Sequence, residues 1–216
     1  MARGIFVTGT STEVGKTVVA AAIARTLTAE GERVTVFKPA VTGLDEGVET
    51  DHELLRRASG SGQSDEEIAP YRYGPPASPH LAAALAGEEI DPEQLRAAAA
   101  AAAQGADAIV CEGVGGFLVP LSPTYLVRDL AVDLGYPLVV VASPGLGTIN
   151  HTLLTIEAAR AAGLEVAAVV LNPWPAEPSQ IESDNRRTIA DLADVEVLTL
   201  PQVDLADPES WPRLRI

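Results

Sequence analysis

The stretch GTSTEVGKT, Gly9 to Thr17, lies between an apolar run, IFVTG, and an alanine-rich one, VVAAAIARTL. In the common phosphate-binding loop four residues separate the first glycine from the Gly-Lys pair. Here that count lands on Thr10, and Gly9 stands one position further back. A turn of this composition points backbone N–H groups at an anion, and the start of the following helix adds partial positive charge. Any strand-to-helix turn favours Gly, Ser and Thr, but the helix dipole opposes a lysine at the helix start unless an anion is bound. The loop therefore reads as a phosphate site, with Lys16 reaching the β and γ phosphates and Thr17 offering its hydroxyl to magnesium.

Other strand ends must name the chemistry. The second apolar run leads into FKPAVTG, which places Lys38 at its carboxyl end and Thr42 four residues on. A lysine at such a rim is costly unless it meets negative charge, the alternative being a stem that snorkels to water. The third run ends in Glu112, followed by GVGG, whose backbone can approach a ligand closely. Asp51 is a second candidate carboxylate, set among many acidic residues from which spacing alone does not select it. Thr17, Asp51 and Glu112 together would supply oxygen ligands to an octahedral magnesium that keeps several waters. Of the histidines, His52 and His151 have no obvious partner, and His80 in SPH reads as structural.

The elements that must hold these residues are legible from the pattern. The runs 5–9, 34–39, 108–113, 137–143, 166–172 and 195–201 are apolar on both faces, as central parallel strands are. Helices are expected at Thr17–Glu30, Asp91–Gln104, Asn150–Ala162 and Ser183–Leu192, the first three stopped by Gly31, Gly105 and Gly163. The alternation implies an α/β fold: a parallel sheet covered by helices on both faces, a three-layer sandwich in one domain spanning 1–216. Ligands in such folds bind beyond the carboxyl ends of the strands. Gly43–Ser64, acidic and Gly/Ser-rich, and Ala69–His80, rich in proline, read as excursions over the sheet's edge. Among the 216 residues no internal repeat is found.

Composition excludes several classes. With 30 acidic and 15 basic residues the net charge is -15, which disfavours nucleic acid and anionic lipid as partners. A single cysteine, Cys111, forms no internal disulfide and sits in an apolar run as a buried thiol, which points to a reducing compartment. No leader pattern precedes IFVTGT, and no run approaches the ~18 apolar residues that cross a bilayer. A cytoplasmic enzyme away from membranes is the expectation.

With the loop, KPAVTG, the Asp51 segment, SPH, CEGVGGFLVPLS and GLGTINHTLLT in one order, the sequence resembles dethiobiotin synthetase from Ile5 to at least Asn172. The resemblance implies a homodimeric P-loop NTPase-like fold that closes the ureido ring of dethiobiotin from 7,8-diaminopelargonate, CO2 and ATP with Mg2+. The family's loop carries five residues before its Gly-Lys pair, so the irregular spacing is its normal form. By resemblance, Glu13, Val14, Gly15, Lys16, Thr17 and Val18 wrap the triphosphate, Thr12 lies near the substrate, and Lys38 is the catalytic lysine. Thr42, often serine in the family, contacts the diamine. Thr17, Asp51 and Glu112 match the magnesium positions, and Glu112, Gly113, Val114 and Gly115 face nucleotide and substrate. Leu146, Gly147 and Asn150 match residues that reach the substrate's carboxylate end from the second subunit. Asn172 with Pro173, and Pro201, Gln202 and Val203, match base-contacting segments. Ser11 stands where the family commonly has aspartate.

Two other classes share parts of this pattern. The P-loop amidases of cobyrinic acid synthesis add a glutaminase domain, for which the chain has neither the length nor a nucleophilic cysteine. Nucleotide-switch ATPases of the partitioning type carry a lysine early in the loop, where this chain has Thr10 and Ser11.

Overall fold

A strand buried on both faces must be apolar at consecutive positions; of the six runs named above, 5–9, 108–113, 137–143 and 166–172 lie inside the sheet, while 34–39 and 195–201 form its edges, the latter with Glu196 exposed. The computed structural model describes residues 2–46 and 50–216. The chain runs β1 (Arg3–Gly9), α1 (Lys16–Ala29), β2 (Val34–Phe37), β3 (Ala40–Val41), α2 (Asp51–Ser59), α3 (Asp65–Ile68), β4 (Tyr71–Arg72), α4 (Pro79–Leu85) and α5 (Pro92–Ala102). It continues through β5 (Ala108–Glu112), β6 (Pro120–Ser122), β7 (Tyr125–Leu126), α6 (Val127–Leu134), β8 (Leu138–Ala142), α7 (Thr148–Ala161), β9 (Val166–Trp174), α8 (Gln180–Ala193) and β10 (Glu196–Pro201). One parallel sheet has the order β10-β9-β8-β1-β5-β2, with β3–β4 and β6–β7 as short separate pairs.

The two-residue period of the strands divides the core into layers. Val7, Val36, Val110 and Val139 pack on one face with α1 and α2, while Phe6, Phe37, Ile109 and Leu138 pack on the other with Leu95 of α5 and Leu130 of α6. Toward the β10 edge, Val140, Val169 and Leu171 meet Ile156 of α7 and Ile189 of α8. Helix α1 approaches the sheet through Ala20, Ala21, Ala22 and Ala24, all fully or almost fully buried. Small side chains there let the helix axis sit close to β1, which fixes where the preceding loop must lie. No helix among the described residues is long and apolar enough to cross a membrane.

All six expected strands and the four expected helices are present, with helix ends moved by one to three residues. Helix α8 begins earlier than expected because Ser179 caps it reciprocally with Glu182, the Ser179 N–H donating to Glu182 Oε2 at 2.7 Å. The two excursions contain more order than their composition suggests. Helix α2 buries Leu54, Leu55 and Ala58 against the α1 layer, and Gln63 closes the exposed edge of β2. Val36 N–H donates to Gln63 Oε1 at 2.9 Å and Gln63 Nε2 donates to the Val36 carbonyl at 3.0 Å. A side-chain amide thus takes the place of a neighbouring strand and blunts an edge open to pairing.

Candidate active site

Three strand ends and two helix starts converge at the carboxyl edge of the sheet. Strand β1 ends at Gly9, and the loop turns back so that α1 begins at Lys16. A Cβ on Gly9 would stand 2.9 Å from Lys16 Cδ and 2.9 Å from Val14 Cγ2, so the glycine one position out of place is the one that leaves room for the lysine stem. Glu13 and Gly15 both have positive φ, 59° and 82°. For Glu13 this is the sparsely populated left-handed region, the kind of strain that persists where surrounding structure holds it. A Cβ at Gly15 would overlap the side-chain amide of Asn172, whose Nδ2 donates to the Val14 carbonyl at 3.3 Å. The loop is therefore held from below by the end of β9. Lys16 Nζ donates to the Ser11 carbonyl at 3.0 Å, spanning the loop it belongs to.

Lys38 follows β2 and Glu112 ends β5, and because these strands are register neighbours their side chains meet. Lys38 Nζ lies 2.8 Å from Glu112 Oε1 and 2.8 Å from Asp51 Oδ2, with the Lys38 and Glu112 side chains only 3% and 1% exposed. The Thr17 hydroxyl donates toward Asp51 Oδ1 and Glu112 Oε1, at 2.9 Å each. Glu112 Oε2 is buried with no hydrogen-bond partner. Asp51, which spacing could not select, is placed here because it opens α2. Thr50 caps that helix, its N–H donating to Glu53 Oε2 at 2.8 Å, and a carboxylate in the first turn suits the helix dipole.

The electrostatics follow from burial and pairing. Burial drives the Lys38 ammonium toward neutrality, but Asp51 and Glu112 overcome it and hold its pKa above the ordinary lysine value. The Lys38 charge pulls Asp51 below the ordinary carboxylate range. Burial pushes Glu112 up against the opposing pull of Lys38, and burial lowers Lys16. Two cations and two carboxylates thus share one corner of an otherwise strongly acidic chain, Lys16, Lys38 and Glu112 buried and Asp51 half-exposed at its mouth. Among the described residues there is no group of three or more His, Cys, Asp or Glu that could hold a metal; the site brings together two carboxylates and the Thr17 hydroxyl.

These residues line a cleft of about 560 Å3 with Thr12, Glu13, Gly15, Val18, Thr42, Val114 and Gly115. Three of its lining residues, Thr50, Leu54 and Leu205, were not anticipated from the sequence. The motif Thr50-x-x-Glu53 is a capping signal that would have placed Thr50, whereas nothing in the sequence marks Leu205, which arrives from the segment after β10. Asn172, Pro173, Pro201, Gln202 and Val203 do not line this cleft. They sit at the paired ends of β9 and β10, where Pro201 is in register with Trp174 and Val203 packs against the core that includes Val14. Gly113 lies at the turn after β5, in the same run as the cleft-lining Glu112 and Val114.

Leu146, Gly147 and Asn150 also lie outside the cleft, in the turn before α7 and its first turn, with Leu146 95% exposed. Beside them a second groove, of about 300 Å3, is lined by Thr10, Phe117, Leu118, His151 and Leu154. His52, expected to lack a partner, has its Nδ1 2.9 Å from the Thr50 hydroxyl and its Nε2 3.8 Å from Asp65 Oδ1. Cys111 is fully buried, and burial pushes its thiol well above the ordinary value, so it is no nucleophile.

Comparison with known proteins agrees with this geometry. The AAA domain family AAA_26 matches residues 3–210. The chain is 46% identical to the ATP-dependent dethiobiotin synthetase BioD of Anaeromyxobacter dehalogenans strain 2CP-1 over 198 residues, 92% of this chain and 89% of that protein. It is 36% identical to the enzyme of the same name from Bacillus subtilis strain 168, over 91% of this chain and 85% of that one. Among solved structures, Cyanthece apo McdA superposes with a TM-score of 0.58 at 12% identity, covering 94% of this chain and 87% of that one. A DUF1611-family protein of Anabaena variabilis superposes at 0.55 and 14% identity, over 91% of this chain and 53% of that one. The two structural likenesses speak for the shared α/β fold alone. The relatives, matched over most of their length, together with the phosphate loop and its lysine-carboxylate cluster, show that the chain belongs to the ATP-dependent dethiobiotin synthetases, ligases of biotin biosynthesis within the AAA domain family.

Proposed function

We propose that the chain closes the ureido ring of dethiobiotin from 7,8-diaminopelargonate, CO2 and ATP, with residues 1–216 acting as one domain. The observation that carries this reading is the buried Lys38 beside Asp51, Glu112 and Thr17 at the mouth of a phosphate loop. One amine of the substrate adds to the carbon of CO2 and loses a proton, giving a carbamate. A carbamate oxygen attacks the γ phosphorus as the bond to the ADP oxygen breaks, giving a carbamic-phosphoric anhydride. The second amine then attacks the carbonyl carbon and gives up a proton, the bond to phosphate breaks, and the ring closes. No protein nucleophile is needed, so the chain's task is positioning and charge neutralisation.

Lys16, released from the Ser11 carbonyl, meets the β and γ phosphates, and the N–H groups of Glu13 to Val18 follow the triphosphate. Lys38 holds the carbamate and stabilises negative charge as its oxygen attacks, with Thr12 and Thr42 on the substrate side of the cleft. Glu112, Gly113, Val114 and Gly115 form the wall between nucleotide and diamine. Asn172, Pro173, Pro201, Gln202 and Val203 are assigned to the base end.

The residues fit a magnesium ion: Thr17, Asp51 and Glu112 would offer it hard oxygen donors, one of them the buried and unpartnered Glu112 Oε2. When bound, the ion would neutralise charge on the transferring phosphoryl group. A second copy of the chain is the proposed partner. Leu118 and Leu154 are exposed in the groove beside α7 and Leu146 in the turn before that helix, and from that copy Leu146, Gly147 and Asn150 would meet the carboxylate end of the substrate. The proposed compartment is the cytoplasm.

Incubation of the protein with ATP, Mg2+, bicarbonate and 7,8-diaminopelargonate should yield dethiobiotin by mass spectrometry. Absence of that product, with ATP hydrolysis that ignores the diamine, would instead mark a nucleotide switch of the partitioning type.

A further inference from the structure

The oxygens that would receive a divalent cation are already engaged by one lysine. Lys38 Nζ takes Asp51 Oδ2 and Glu112 Oε1 at 2.8 Å each. The Thr17 hydroxyl takes the remaining Asp51 oxygen and shares Glu112 Oε1, at 2.9 Å each. Of the four carboxylate oxygens only Glu112 Oε2 has no partner, and one oxygen does not hold an octahedral ion against water. The charges also balance as they stand, Lys16 and Lys38 against Asp51 and Glu112, in a corner where Lys38 and Glu112 are almost fully buried. A bare divalent ion would therefore bring two uncompensated charges into a desolvated site, whereas one arriving with a triphosphate would not.

Resting on the synthetase reading above, we propose that Lys38 is a built-in counterion that competes with the divalent cation for Asp51 and Glu112. In the nucleotide-free protein its ammonium fills the cation's place and keeps the buried Glu112 and the half-exposed Asp51 paired. Cation arriving with the nucleotide takes over those oxygens and frees the ammonium to swing to the carbamate. The exchange couples filling of the nucleotide site to delivery of the lysine, so the lysine reaches the substrate only once the triphosphate is in place.

The test uses Mn2+ as the probe and the purified full chain, with binding read by electron paramagnetic resonance. Without nucleotide, Lys38→Met should bind Mn2+ at least about tenfold more tightly than wild type, because it removes a cation in contact with both carboxylates. Lys38→Arg, which keeps the charge, should show no such gain. With a non-hydrolysable ATP analogue both proteins should bind Mn2+, and the advantage of Lys38→Met should shrink to about threefold or less, because the ammonium that Mn2+ displaces then has the triphosphate to pair with. If Lys38→Met gains nothing without nucleotide while both proteins bind Mn2+ with the analogue, the competition is overturned and the synthetase reading stands. If neither binds Mn2+ even with the analogue, both fail. Should Lys38→Met not fold, the wild type still decides. Its Lys38 15Nζ resonance should move when Mg2+ joins the bound analogue, and a resonance that stays fixed overturns the proposal.

Discussion

Strands β2 and β5 carry an ion pair at each end, and the two pairs differ in almost every physical respect. At the amino ends, Arg33 and Asp107 form a bidentate pair with contacts of 2.9 and 3.0 Å, their side chains 72% and 45% exposed. At the carboxyl ends, Lys38 and Glu112 are paired at 2.8 Å and almost wholly buried. Water screens the first pair, which serves to fasten two neighbouring strands: Arg33 N–H also donates to Asp107 Oδ2 and Asp107 N–H donates to the Arg33 carbonyl. The second pair has given up its water, and such pairs commonly cost as much as they return. A chain that keeps one at the mouth of its phosphate loop does so for chemistry at that loop.

The contrast sharpens most at Lys38. Lys38→Gln should lower dethiobiotin formation by about 10²-fold or more while leaving the dissociation constant for ATP within a fewfold, because the proposal gives the phosphate contacts to Lys16. Turnover and isothermal titration on the same preparation check this, and unchanged turnover removes Lys38 from the mechanism. Glu112→Gln should reduce turnover by about 10²-fold as well, with little change in melting temperature because Asp51 still pairs with Lys38. Gly9→Ala comes next. Its methyl would press on the Lys16 stem, so ATP affinity should weaken by roughly tenfold, with a fall in melting temperature of a few degrees; equal affinity would show that the loop has slack the structure does not.

The smallest effect belongs to the other end of the strands. Asp107→Asn should leave turnover as it is and change stability only slightly at neutral pH. Its hydrogen bonds from Arg33 hold the Asp107 carboxyl down to about 2, below the ordinary 3.8. A carboxylate depressed in the folded state contributes stability that is present above the unfolded value and lost as the pH falls through the folded one. Denaturant titrations should therefore show the difference between wild type and Asp107→Asn intact at pH 5 and closing as the pH approaches 2. A difference that grows on acidification would contradict the pairing.

The same comparison explains what the sequence discloses. Lys16, Lys38 and Glu112 stand out because each interrupts an apolar pattern with a group that is costly to bury, so its position carries a signal even without a structure. The strands are legible for the complementary reason, an unbroken β-branched run having few other places to go. Asp51 carries no such contrast among acidic neighbours, and only the Thr50–Glu53 cap, which starts α2 at that residue, brings it to the cluster. Leu205 and Gln63 are silent for a further reason. One reaches the cleft, and the other covers the β2 edge, through the path of a connecting segment, which hydrophobic periodicity does not record. The base end, Asn172 and Pro201 to Val203, rests on likeness of motif, and the structure sets those residues beneath and beside the loop but outside the main cleft.

The most direct test of the central claim is phosphate release by the wild-type protein with ATP and Mg2+, measured with and without 7,8-diaminopelargonate and bicarbonate. Release should be negligible until both are present and should then match dethiobiotin one for one. Steady release that neither compound changes would contradict that claim.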